Sequence, residues 1–107
     1  MSLENTLSVD YVSTNADYVR CSIVDDWNWN DVKKHLAVLQ EKLNNYLMFI
    51  ESGQLLTSYP NAKGKKIVIS IFFKEVLTKE TESFLSFVEK RLTSSGYKLE
   101  YASGFHL

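Results

Sequence analysis

Between Val32 and Ile50 an apolar side chain returns every third or fourth residue, at Val32, Leu36, Leu39, Leu43, Leu47 and Ile50. That is helical spacing: it gathers the six into one stripe and leaves Lys34, Glu41, Asn45 and Ser52 on the opposite, wet face. Burial of all six contributes roughly 9–18 kcal/mol before conformational entropy, an upper bound. Such a ridge has to be laid across another element. The punctuation fits a helix too. Asn28 is placed to cap it, with Asp31 three residues on to reach back, and Trp27 and Val32 have the spacing of a hydrophobic staple. Gly53 can take the left-handed conformation that stops it.

The partner for that ridge is read from the β-type runs. Ile67 to Phe73 is β-branched and apolar on both faces, the pattern of an interior strand. Val9–Ser13 and Tyr18–Asp25 flank Thr14-Asn15-Ala16-Asp17, whose Asn and Asp suit a turn, so a hairpin is predicted. In its second strand Val19, Cys21 and Ile23 share the core face, and Tyr18, Arg20, Ser22 and Val24 share a half-solvated one. Gln54–Lys65 reads as an irregular connection holding the one proline, Pro60, with Leu55, Leu56 and Tyr59 packed down. A second helix starts at a Thr78 cap, with Glu80 and Glu82 in its first turn. It buries Thr81, Phe84, Leu85, Val88 and Leu92, and closes at Arg91 and Gly96. Tyr97, Leu99 and Tyr101 then alternate with Lys98 and Glu100 in a last strand. The expected architecture is one α+β domain over 1–107, in the order ββαβαβ. It is a two-layer sandwich, a four-stranded mixed sheet with both helices on one face and a parallel crossover between the last two strands.

Composition narrows the function classes. The 107 residues are 45% hydrophobic and 23% charged, which is globular rather than disordered. Two Trp, six Tyr and six Phe give so short a chain enough bulk for a core. Twelve basic against thirteen acidic residues leave a net charge of −1, without the basic excess that phosphate neutralisation requires, so no nucleic-acid partner is expected. A single cysteine, Cys21, allows no internal disulfide and no cysteine-rich zinc site, and points to reducing cytoplasm. Its alternation with Val19 and Ile23 makes it a core residue. The N-terminus lacks a basic region followed by an apolar stretch, and no apolar run approaches bilayer length, so neither secretion nor membrane insertion is expected.

His35-Leu36, Leu39-Gln40-Glu41-Lys42-Leu43-Asn44, Tyr46-Leu47 and Phe49-Ile50-Glu51-Ser52-Gly53 form a recognisable pattern, HLxxLQEKLNxYLxFIESG. With Val9-Asp10, Asp26-Trp27 and Tyr59-Pro60-Asn61-Ala62-Lys63-Gly64, the chain resembles an uncharacterised bacterial family of small domains of unknown function. The likeness is strongest from Asp26 to Gly64. It implies a bacterial cytoplasmic origin, and no catalytic residue can be carried over from it.

Candidate chemistry is sparse. His35, Lys42, Phe49 and Tyr46 fall along one flank of the first helix. With Glu51 and Tyr59 they form a candidate ligand pocket against the 54–65 connection, His35 carrying the proton. The plainer reading is a boundary histidine beside a lysine stem that covers apolar surface. Lys33, Gln40, Asn44 and Glu51 lie on the other flank. Asp25 and Asp26, with Asp31 nearby, invite a divalent cation, but consecutive strand residues point to opposite faces, so strand ending and capping are the expected roles and no metal is expected. Lys63-Gly64-Lys65-Lys66 lacks the phosphate-loop pattern and reads as a solvated turn. The tail Gly104-Phe105-His106-Leu107 offers Phe105, His106 and Leu107 either as a lid or as a contact with another chain. No cofactor and no catalytic residue is expected. The sequence favours a non-enzymatic domain that self-associates or binds a protein partner, of which a toxin bound by an immunity-type protein is one form. The alternative is a small-ligand or enzymatic domain built on the His35 pocket.

Overall fold

The computed structural model describes residues 3–104. Its elements run β1 (Tyr11–Thr14), β2 (Tyr18–Asp25), α1 (Val32–Glu51), α2 (Gln54–Ser58), β3 (Lys66–Phe73), α3 (Lys79–Ser94) and β4 (Lys98–Ala102), with a short 3-10 turn at Pro60–Ala62. The expected ββαβαβ order therefore gains α2 and the 3-10 turn before β3. Leu55 and Ala62 anchor that connection in the core, while Leu56 and Tyr59, expected to pack down, are 44% and 39% exposed.

The sheet is mixed and open, in the order β1-β2-β3-β4. β1 and β2 pair antiparallel, with Val12 opposite Cys21. Asn15 makes the turn: its side-chain oxygen accepts from the backbone N–H of Asp17 and of Tyr18, both at 2.8 Å. β2 and β3 run parallel in a register that sets Cys21 beside Ile69 and Asp25 beside Phe73. β3 and β4 are also parallel, as a crossover through a helix requires. Alternation does the rest. Val19, Cys21, Ile23, Ile69, Ile71, Phe73 and Leu99 join Leu39, Leu43, Tyr46, Ile50, Leu85 and Leu92 of the helices in one buried cluster. Leu3, ahead of β1, is fully buried in the same cluster.

Tyr18, Arg20, Ser22 and Val24, on the other side of β2, are half-buried. There Arg20 Nε meets Glu100 Oε1 at 2.6 Å, and the Ser70 hydroxyl donates to the same oxygen at 2.5 Å. The Ser70 hydroxyl, with Arg20 behind it, holds the Glu100 carboxyl below its ordinary range. A charged crosslink thus ties β2, β3 and β4 together on that side.

Two details of α1 differ from expectation. Asp31, not Asn28, caps it, accepting from the Lys34 N–H at 3.2 Å. The Asn28 side chain instead accepts from the Asn30 N–H, closing a turn ahead of the helix. The buried face is also rotated. It consists of His35, Leu39, Lys42, Leu43, Tyr46 and Ile50, while Val32, Leu36 and Leu47 lie half-buried at its margin. Gly53 ends α1 at φ 87°, and Thr78 caps α3 by accepting from the Thr81 N–H.

The rotation predicts unequal costs for equal deletions. Leu39→Ala is expected to cost about 2–5 kcal/mol in guanidinium unfolding, as for a fully packed leucine, and Leu36→Ala clearly less. Cys21 is buried, and its burial pushes the thiol pKa up to about 11. Alkylation by iodoacetamide at pH 8 is accordingly expected to be slow in the native state and fast once the chain is unfolded.

Candidate functional site

Two polar networks run through the buried face of α1. The first lies at the carboxyl ends of β2 and β3. Period-two alternation that turns Val19, Cys21 and Ile23 inward turns Asp25 inward as well, and its side chain is fully buried. His35, on the first turn of α1, meets it: Nε2 lies 2.6 Å from Oδ2 and 2.8 Å from Oδ1. The other ring nitrogen, Nδ1, sits 2.9 Å from the Asn28 carbonyl oxygen. A carbonyl only accepts, so Nδ1 carries a proton, and one more proton lies between Nε2 and the carboxylate. The pair is neutral whichever atom holds it. Trp29 stacks on the imidazole with centroids 3.8 Å apart, and Trp27 approaches at 5.5 Å. Asp25 Oδ1 also accepts from the Trp27 backbone N–H, so residues 25–30 are folded around the ring.

The second network is two turns along. The Lys42 ammonium is buried and directs its protons to the Asn5 carbonyl at 2.6 Å, Asp10 Oδ2 at 2.8 Å and Ser8 Oγ at 3.3 Å. Tyr46 donates its hydroxyl proton to the Ser22 carbonyl at 2.5 Å and accepts from the Asp10 N–H at 3.1 Å. Burial raises the Tyr46 phenol above its ordinary range. Together these bonds strap the segment before β1 across α1.

The predicted pocket residues are thus divided. Lys42 and Tyr46 share one network and His35 belongs to the other. Glu51 and Tyr59 are exposed and hydrogen-bond to neither among the described residues. His35 is not at a boundary but is 1% exposed, and the acid absent from its own flank comes from β2. Both ring nitrogens are engaged, Nδ1 by the Asn28 carbonyl and Nε2 by the Asp25 carboxylate. Asp25 is committed to His35, and no group of three or more metal-ligating side chains occurs among the described residues. Among those residues no helix is long and apolar enough to cross a membrane. Phe105, His106 and Leu107 lie outside the described residues.

A larger concave surface lies away from both networks. α1 and α3 leave between them a groove of ≈ 690 Å³, lined on α1 by Gln40, Leu43, Asn44 and Leu47 and on α3 by Phe84, Phe87, Val88 and Arg91 among others. Phe87 is 69% exposed there. Beyond it Met48, 65% exposed, carries apolar surface along α1. Phe87 was not among the expected core or site residues because it sits one position outside the buried stripe of α3. A bulky aromatic at a surface helical position was the available signal.

Removing one partner of a buried neutral pair strands the other. Asp25→Ala is expected to cost about 3–5 kcal/mol in denaturant unfolding. Tyr46→Phe leaves an acceptor and a donor unpaired, and is expected to cost about 1–3 kcal/mol.

Comparison with curated proteins and with solved structures finds no match. A family model does match, from residue 1 to residue 104, and so spans every strand and helix among the described residues, both buried networks and the groove. The chain belongs to DUF6572, a family of unknown function.

Proposed function

We propose that the chain is a non-enzymatic protein-interaction domain, folded as a single two-layer unit whose helices cover one face of the sheet, and that the surface shared by α1 and α3 receives a protein. The observation that carries this reading is Phe87, an aromatic ring 69% exposed beside half-buried Phe84, Leu47 and Val88 in a concavity between the long helices. Exposed aromatics grouped with apolar neighbours and rimmed by polar side chains are the usual anatomy of a contact surface. The buried titratable groups argue the same way from the other side. Among the described residues, His35, Asp25, Lys42, Asp10 and Tyr46 spend their polar atoms on one another, on the Ser8 hydroxyl and on backbone rather than on an open surface.

Two measurements separate this from the small-ligand alternative. In a melting screen against a metabolite panel, no compound is expected to raise Tm appreciably; a shift of several degrees with one metabolite, lost in a groove variant, overturns the reading. A photo-crosslinking amino acid in place of Phe87 is expected to give one discrete protein adduct that purified components reproduce, whereas the same probe at exposed Lys34 gives none. Absence of any protein adduct from position 87 counts equally against it.

A further inference from the structure

α3 lines the groove with Glu80, Ser83, Phe84, Phe87, Val88, Arg91 and Leu92; Leu92 is buried at its floor, and the other six form the accessible stripe. Steps of three, one, three, one and three keep these six on one helical face. Their order is symmetric about a point midway between Phe84 and Phe87. Reversing the direction of the stripe exchanges Glu80 with Arg91, Ser83 with Val88, and Phe84 with Phe87. Charge is complementary under that exchange, since an acid replaces a base, and the aromatic pair maps onto itself.

From this symmetry we infer that the occupant of the groove is a second copy of the chain, docked by a twofold axis that sets α3 antiparallel to its mate. This rests on the interaction reading above and names its partner. In the pair, Phe84 and Phe87 meet the partner's Phe87 and Phe84 at the axis. Glu80 faces the partner's Arg91 at one end, and Arg91 faces the partner's Glu80 at the other. A closed pair of this kind needs one self-complementary patch, which is what the reversed order supplies. A parallel arrangement would instead set Glu80 against the partner's Glu80. Within one chain the two charges cannot meet, because eleven residues of helix hold them about 16 Å apart. Neither has an ion-pair partner among the described residues. A stable pair takes about 800 Å² from each partner, roughly an eighth of this chain's 6595 Å² surface. The α1 margin at Leu47 and Asn44 widens the contact beyond α3 itself.

Sedimentation equilibrium on the full chain tests the pairing. The wild type is expected to show twice the chain mass, with a concentration-dependent monomer. Glu80→Arg alone and Arg91→Glu alone each place like charges at both ends of the contact, and each is expected to weaken association at least about tenfold. The double exchange Glu80→Arg with Arg91→Glu restores the pairs and is expected to recover the dimer. Mixing the two single variants is expected to give heterodimers. Far-UV circular dichroism spectra of the isolated variants should match wild type, because both positions are exposed, with melting points lowered by a few degrees as reversed charges meet the helix ends and the dimer is lost. A wild type that stays monomeric up to several hundred micromolar overturns the inference. So does a dimer indifferent to the single reversals, or one that the double exchange fails to restore. If the dimer fails while the probe at position 87 still marks a different protein, the interaction reading survives and only its partner is wrong.

Discussion

A lysine ammonium and an imidazole hydrogen-bonded at both ring nitrogens lie on the core face of α1, where an uncompensated charge would cost several kcal/mol. Each is met by an inward carboxylate from a different part of the chain, Asp10 for Lys42 and Asp25 for His35. Both units are neutral as a whole, and nearly every remaining polar atom in them is bonded. That compensation is what lets α1 sit on the sheet in this rotation and no other. Turning the helix to bury Leu36 and Leu47 instead would carry both side chains away from their acids.

The same bonds decide what happens at the edges of the fold. Lys42 and Tyr46 draw residues 5–10 across the helix, which positions β1 to pair with β2 and brings Leu3 into the core. His35 holds the Asn28 carbonyl, so the chain turns through residues 26–31 and α1 starts only at Val32. Trp29 then covers the carboxyl ends of the strands, with its ring 6.0 Å from Phe73. These side chains have the residue types of an active site, but their polar atoms are engaged with one another, with Ser8 and with backbone. The accessible apolar surface at Phe87 lies apart from them, between the flank of α1 and the facing side of α3.

Element types were readable because they depend on local spacing. The leucine repeat, the β-branched run at 67–73, the Asn15 turn, and the Thr78 and Gly53 boundaries all act within a few residues of themselves. The rotation of α1 was less readable. A count of leucines alone places the stripe roughly half a residue step away from the buried face. His35, Lys42 and Tyr46 fall between those leucines at helical spacing, but polar side chains enter a core only when partners exist. Those partners are 10, 32 and 24 residues away in sequence. Asp25 came closest to being legible, since strand alternation alone points it inward.

The sequence by itself determined an α+β chain, the identity of most core leucines and isoleucines, the hairpin, and the helix boundaries to within a few residues, because propensity and periodicity are properties of neighbouring positions. Only the tertiary structure decided which carboxylate neutralises which cation, that the histidine is enclosed rather than poised, and that Phe87 and Phe84 border a groove. Those outcomes depend on distances between segments far apart in the chain, set by the register of a parallel sheet and the angle at which a helix crosses it.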